Sequence, residues 1–280
     1  MKDGTLMSMR EFSGFTGVKA SALRYYEDIG LLDPAVRLEN NYRYYNPLQI
    51  FAINFINVLT DLGVSLSTIL EAANERTPES MIELLRHQET QLDYRMRELA
   101  TAFSILHTYR NNIQDGLLAK EGTIDVKWVD EQRIIMGQVN HFKEGESFYA
   151  AFREFCRHAE EIRINLRYPI GAYHENVEDF FREPGRPTRW FSLDPFGNTS
   201  SKAGYYLEGY TRGYYGVFGL LPDAMKQFAQ KNNLVFDGPA YAIYLHDEIS
   251  VVDPDEYLVR VSALLTEESA KAYVGKQKKG

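Results

Sequence analysis

A chain of 280 residues is long enough for two domains, or for one with a long appendage, and excludes a single small module. Hydrophobic residues make up 44% of it and charged residues 25%, a balance that excludes a disordered chain, while the single cysteine, Cys156, excludes an internal disulfide and a thiolate metal cage. The net charge of −8 excludes attraction to a polyanion through bulk charge, so any contact with nucleic acid has to come from local arrangement. Met1 to Arg10 lacks an apolar signal region, and no apolar run approaches the roughly 18 residues of a spanning helix. No membrane partner is expected, and the chain reads as cytoplasmic.

Ser8-Met9-Arg10-Glu11 has the spacing of a capping box, in which the serine hydroxyl and the glutamate carboxylate satisfy unpaired helix N–H groups, and it opens a first helix. Gly14 and Gly17 punctuate a turn, and Lys19 to Asp28 reads as a second helix stopped by Gly30. Two short helices joined by a tight turn make a helix-turn-helix. After Pro34, Asn40-Asn41 marks a turn before Tyr42-Arg43-Tyr44-Tyr45, whose alternating aromatic and basic residues suit the strand of a wing. Asn46-Pro47 caps a third helix, in which Leu48, Phe51, Ala52, Phe55, Leu59 and Leu62 recur at helical spacing up to Gly63. A shorter helix is predicted from about Ser65 to Asn74.

Thr77-Pro78 opens the longest periodic segment. Leu85, Leu92, Leu99, Leu106 and Ile113 recur at intervals of seven, and Ile82, Glu89, Met96, Phe103 and Arg110 precede them by three, which defines a coiled-coil seam. A homodimer joined through Leu85, Leu92, Leu99, Phe103 and Leu106 is expected; the alternative is a long helix packed on its own chain. Glu89 and Arg110 interrupt the seam toward opposite ends, so antiparallel pairing brings acid near base. Aromatic residues then rise from 12 in residues 1–120 to 25 in residues 121–280, which places a boundary near Gly122. Strands are predicted at Thr123 to Trp128, Ile134 to Asn140, Ile170 to His174, Trp190 to Leu193, Tyr205 to Tyr210, Tyr214 to Phe218, Tyr241 to His246 and Tyr257 to Leu265. Helices are predicted at Ser147 to Ile164 and Pro222 to Lys231, giving an α+β domain. Lys271 to Gly280, with Lys276, Lys278 and Lys279, reads as a solvated tail.

The run Phe15-Thr16-Gly17-Val18-Lys19-Ala20-Ser21-Ala22-Leu23-Arg24-Tyr25-Tyr26-Glu27-Asp28-Ile29-Gly30-Leu31-Leu32, followed by Asn41-Tyr42-Arg43-Tyr44-Tyr45, resembles the DNA-binding domain of the MerR family of transcription regulators. The heptad segment sits where that family places its antiparallel dimerisation helix. The remainder resembles the GyrI-like effector-binding domain of the BmrR-type multidrug sensors, through Tyr214 to Phe218, through Gly238-Pro239-Ala240-Tyr241 leading into Tyr244, and through Asp255-Glu256-Tyr257-Leu258. The resemblance implies an α+β chain with four parts. An all-helical winged helix-turn-helix domain spans 1–76, a coiled-coil dimerisation helix 77–120 and a GyrI-like domain 121–270, with a basic, disordered tail at 271–280. It also implies a ligand-responsive activator that distorts double-stranded promoter DNA for RNA polymerase.

The residues are chemically suited to this reading. Lys19, Ser21, Arg24 and Tyr25 supply donors on one short helix, with Arg43 and Tyr44 on the wing, although residues 1–46 hold six basic and six acidic side chains and must sort them by face. Tyr26 suits a core position, and Tyr42 and Tyr44 either fill core or touch sugar and phosphate. Five tyrosines between Tyr205 and Tyr215, with Trp190, Phe191, Tyr241 and Tyr244, suit an aromatic pocket for a hydrophobic or aromatic small molecule. The expected wall is Tyr168, Trp190, Tyr214, Phe218, Tyr244 and Arg260. BmrR-type sensors of lipophilic cations carry pocket glutamates where this chain has Ala242 and Arg260, so a preference for neutral or anionic aromatic compounds is expected. Asp194, Glu208 and Glu248 are the carboxylates available to reverse it. The rival reading is a GyrI-like hydrolase fused to a DNA-binding domain, using a carboxylate and tyrosines, which Glu175, Glu178, Glu208, Glu248 and Tyr210 could supply. No cofactor or metal is expected, since Cys156 and the dispersed histidines 87, 107, 141, 158, 174 and 246 show no ligand spacing.

Overall fold

The structure, a computed structural model, describes residues 6–75, 77–142, 146–161 and 164–277. Its contacts divide the chain into two units, Met1–Glu98 and Leu99–Gly280.

In the first unit, α1 (Met9–Thr16) begins at the predicted capping box: Ser8 N donates to Glu11 Oε2 at 2.8 Å and Glu11 N to Ser8 Oγ at 3.3 Å. Gly17, at φ 70°, closes it and α2 (Ala20–Asp28) follows. The unit is not all-helical. β1 (Met7–Ser8), β2 (Val36–Arg37) and β3 (Arg43–Tyr45) form an antiparallel sheet in the order β1-β3-β2. The sheet is held to α1 by Tyr45, fully buried and stacked on Phe12 at 4.5 Å between ring centroids. Tyr26 is core, whereas Tyr42 is exposed. α3 (Gln49–Asp61) starts later than the Asn46-Pro47 signal, because Asn46 Oδ1 accepts from Leu48 N at 2.9 Å and a tight turn precedes the helix. It buries Ile53, Ile56 and Leu59, and leaves the predicted Leu48 and Phe51 exposed. α4 (Leu66–Glu75) completes this core with Ile69.

α5 (Pro78–Leu118) is one continuous 41-residue helix. Its early residues Leu84 and Leu85 pack on the core of the first unit.

The second unit is an eight-stranded sheet in the order β4-β9-β11-β10-β6-β7-β5-β8, antiparallel at every pair. The strands are β4 (Ile124–Val129), β5 (Arg133–Val139), β6 (Ile170–His174), β7 (Arg189–Ser192), β8 (Thr199–Ser200), β9 (Gly204–Arg212), β10 (Phe236–His246) and β11 (Leu258–Leu265). Alternate residues of a strand point to opposite faces. One face, with Val126, Leu207, Ala242, Val259 and Val261, packs against α6 (Phe148–His158), α7 (Val177–Arg182), α8 (Leu221–Asn232) and α9 (Glu267–Gln277). The other face presents Lys127, Tyr206, Glu208, Tyr241, Arg260 and Ser262.

Several expectations need correction. Tyr214 to Phe218 is a turn rather than a strand: Gly213, Gly216 and Gly219 adopt φ of 149°, 81° and 52°, which interrupts any ladder. α6 ends at His158, short of Ile164, and residues 162 and 163 lie outside the described residues. Residues 271–277 are not a disordered tail but the end of α9, anchored by fully buried Ala270; Lys278, Lys279 and Gly280 lie outside the described residues. No helix among the described residues is long and apolar enough to cross a membrane.

Candidate functional site

Lys19 caps α2, and Ser21, Arg24 and Tyr25 are exposed along one side of that helix while Leu23 and Tyr26 are buried on the other. The short helix therefore presents donors on the face its core does not need, the arrangement required to meet phosphates and base edges. Arg43 is turned differently from the expectation. Its Nε is paired with Glu27 of α2, and its side chain is only 18% exposed, so it ties the wing to the helix. Its cross-strand neighbour Arg37 reaches the same carboxylate at 3.5 Å and also donates to Asn41 Oδ1 at 2.9 Å. Tyr44 is half-buried beside them. Glu27 and Arg37 were not legible as a pair, because the two residues meet only when the hairpin folds onto α2.

Along α5 the expected seam is partly free. Met96, Leu99, Phe103 and Leu106 are 67% to 70% exposed, an apolar stripe that no part of the chain covers among the described residues. Leu85 is taken by the core of the first unit and Leu92 is half-buried, so the free stripe is shorter than the heptad count.

On the helix-packed side of the sheet lies a cavity of about 300 Å³. β7 contributes Trp190, β10 contributes Ala242 and Tyr244, and Tyr168 closes one side. The turn that was expected to be a strand brings Phe218 and Tyr215, and α5 brings Tyr109. α6 supplies Phe148, Tyr149 and Phe152; Phe148 and Phe152 meet the Trp190 ring edge-on at 4.8 Å and 5.0 Å. These residues were missed, although their spacing of three and four within an amphipathic helix was visible. Gly216 is required here by space as well as by φ, since a Cβ would sit 2.9 Å from the Phe148 ring. Tyr244 Oη donates to Tyr214 O at 2.9 Å and accepts from Gly216 N at 3.2 Å, which locks the turn to the sheet. Tyr214 thus stands behind the wall, with its ring 5.8 Å from Tyr257, rather than on it.

Among the described residues, two carboxylates line this cavity, Asp247 and Glu248. Glu248 accepts from Tyr215 Oη. Burial raises the Asp247 carboxyl above its usual value, the Ile249 N–H opposes the shift, and the neighbouring charge of Glu248 adds to it. Burial and the Glu248 hydrogen bond likewise raise the Tyr215 phenol.

Arg260 is not in the aromatic cavity. β11 pairs it across from Ile243, and residues paired across strands share a face, so it stands opposite the face of Ala242 and Tyr244. There its Nε lies 3.8 Å from Glu208 Oε1 and its NH1 donates to Asp115 at 3.3 Å. Glu208 is almost fully buried and also accepts from Tyr210 Oη at 2.8 Å, Ser262 Oγ at 3.1 Å and Lys127 Nζ at 3.1 Å. Burial works against its charge, but Arg260 first, then the Tyr210 hydrogen bond and Lys127, hold the carboxyl below its ordinary value of 4.5. A carboxyl with a depressed folded value stabilises the fold fully above the ordinary value and loses that contribution as pH falls through the depressed one. Denaturant midpoints taken from about pH 6 down to about pH 3 are therefore expected to fall more steeply for the wild type than for Glu208→Gln. Equal slopes would remove Glu208 from the acid response.

The four carboxylates named for the hydrolase reading do not meet one another, although one of them, Glu208, meets Tyr210. Glu208 and Tyr210 are together on one sheet face, Glu248 lines the cavity on the other, and Glu178 pairs with Lys226 on α8. Glu175 lies at the end of β6, where its N–H donates to Thr188 Oγ1 at 3.2 Å.

The model of the MerR family regulatory proteins matches residues 8–45, which span α1, α2 and the wing. The multidrug-efflux transporter 2 regulator of Bacillus subtilis is 24% identical over 253 residues, covering 86% of this chain and 89% of that protein. An uncharacterised HTH-type transcriptional regulator of Pseudomonas aeruginosa is 33% identical over 113 residues, covering 39% of this chain and 81% of that protein. Among solved structures, a cryo-EM EcmrR–DNA complex aligns over 92% of this chain and 99% of its own at 17% identity, with a TM-score of 0.37. From the family match over the helix-turn-helix and wing, and from the length of relative aligned, the chain belongs to the MerR family of transcription regulators.

Proposed function

We propose that this protein is a homodimeric, multidrug-sensor type activator. Residues 1–76 bind promoter DNA, residues 77–120 join two copies, and residues 121–270 bind a hydrophobic or aromatic effector. The observation that carries the reading is Tyr109: this α5 side chain forms part of the aromatic cavity three residues after Leu106 of the exposed seam. An effector that favours one arrangement of the cavity wall therefore bears directly on the helix that pairs the two copies, and it shifts the regulator only by the difference in its affinity for the two states. Activation would follow from distorting a promoter so that RNA polymerase engages it, which places the protein in the cytoplasm with its DNA.

The effector class follows from the wall. Aromatic faces attract a cation, and Asp247 and Glu248 add negative charge, whereas Arg260 is absent from the cavity. Lipophilic cations replace the neutral or anionic compounds expected when Arg260 was placed in the wall. In transcription reactions from the protein's own upstream region, a quaternary aryl ammonium compound is expected to stimulate, and its uncharged isostere to need about tenfold more. The double variant Asp247→Asn, Glu248→Gln should erase that difference. Transcription indifferent to both compounds, in a protein that still binds the DNA, would overturn the reading.

A further inference from the structure

The reverse face of the sheet holds a second and larger cavity, about 550 Å³, to which the effector reading gives no role. Its floor is the Glu208 cluster and its walls are largely apolar: Ile134, Phe191, Tyr206, Tyr241 and Ile243. The strand registers that pair Ser262 with Glu208 and Arg260 with Tyr210 bring the polar groups together. Among the described residues, six charged side chains line the space: Lys120, Lys127 and Arg260 against Asp115, Asp130 and Glu208.

Equal numbers of charges do not make it neutral toward a ligand, because the hydrogen-bonding capacity is unequal. Glu208 receives Tyr210, Ser262 and Lys127 and faces Arg260, so its oxygens are occupied. Asp130 Oδ1 accepts from Trp128 Nε1 at 2.9 Å. Lys127 uses two of its three N–H groups, on Tyr210 at 2.8 Å and Glu208 at 3.1 Å, and keeps one. Arg260 directs Nε at Glu208 and one NH1 hydrogen at Asp115, and keeps the rest of its fork. What remains at the buried floor is free donor capacity on Lys127 and Arg260 beside aromatic and aliphatic walls, while the free oxygens of Asp115 and Asp130 belong to exposed side chains. A buried ionic cluster is also a poor way to stabilise a sheet, since apolar residues of similar volume usually serve as well or better.

We propose that this reverse-face cavity is a second ligand site, specific for aromatic monocarboxylates. The ligand carboxylate lies on Arg260 and Lys127 while its ring lies against Tyr206, Tyr241 and Phe191. Glu208 is the positioning residue that holds both cations in place. Because Arg260 also donates to Asp115 of α5, a bound carboxylate shares that arginine with the same helix that carries Tyr109. The site is independent of the effector reading: either cavity can be occupied without the other.

The chain has two tryptophans: Trp190 lines the aromatic cavity, and Trp128 stands on β4 at the border of the reverse-face one, with its ring against Tyr205. In the full-length Trp190→Phe protein, para-nitrocinnamate is expected to quench Trp128 saturably, and para-nitrobenzyl alcohol to bind about tenfold more weakly or not at all. Lys127→Met in that background should weaken para-nitrocinnamate about tenfold with an unchanged circular-dichroism spectrum. Calorimetry on the wild type gives a second measurement that needs no variant: para-nitrocinnamate should bind equally well when para-nitrobenzyl trimethylammonium is already bound. Absence of saturable para-nitrocinnamate binding, equal affinity for the alcohol, or mutual exclusion with the cation would each overturn the second site. Failure of the cation to bind would instead count against the effector reading alone.

Discussion

Sedimentation of the double variant Leu99→Asp, Phe103→Asp is expected to show a monomer of 32.3 kDa where the wild type sediments as a dimer. Both side chains are about 70% exposed on α5 and belong to one apolar stripe with Met96 and Leu106. Burying a leucine and then truncating it costs about 2–5 kcal/mol, and a two-fold pairing counts each substitution twice. A buried aspartate costs more than truncation, since its charge has no partner in the seam. The loss therefore exceeds what holds a micromolar dimer together, about 8 kcal/mol. The direction of pairing has its own test. Glu89 and Arg110 are both exposed on α5, and an antiparallel partner brings them near each other. Cross-links should join the neighbourhood of Glu89 to that of Arg110 in the other copy. A wild-type monomer, or cross-links joining residue 89 to residue 89, would refute the antiparallel dimer.

Arg24→Ala is expected to weaken operator binding by about 1–3 kcal/mol at fixed salt, with the dimer and its helicity unchanged. Arg24 is exposed on the outer side of α2, while the core contacts of that helix come from Leu23 and Tyr26. Removing it takes away a charged donor and leaves the packing intact. Lys19→Ala should weaken binding across sequences and reduce the slope of log affinity against log salt by about one, as loss of a single phosphate contact does. Arg43→Ala is expected to act by a different route, because Arg43 is paired with Glu27. It should loosen the wing and lower affinity less than Arg24→Ala does, and Glu27→Ala should reproduce part of the loss although it removes a negative charge. Titration of a fluorescent operator by anisotropy separates these cases. Unchanged binding by both Arg24→Ala and Arg43→Ala would reject the proposed face.

Much of this molecule is written locally. The capping box at Ser8 to Glu11, the glycine after α1 and the seven-residue recurrence through α5 each depend on neighbours within a turn or two of helix, so spacing alone carries them. Residue types on α2 followed the same logic, since one helix face must be apolar to pack and the opposite face is free for donors. The aromatic content of the second unit likewise announced an aromatic pocket before its wall was known.

Tertiary structure decided which side chains meet. Arg260 and Ala242 were placed in one pocket by their likeness to pocket positions elsewhere, yet the β10–β11 register pairs Arg260 with Ile243 and sends it through to the opposite face. A shift of one residue in a ladder reverses every side chain, and nothing local to either strand sets that register. The segment from Tyr214 to Phe218 has the residues of a strand, but Gly213, Gly216 and Gly219 turn it, and the contact of Gly216 with Phe148 is set by a helix far away in sequence. Glu208 shows the same division. Its residue type was visible as a candidate acid, whereas its partners come from β4, β9 and β11, and only their pairing makes it a buried, fully bonded carboxylate under a cavity.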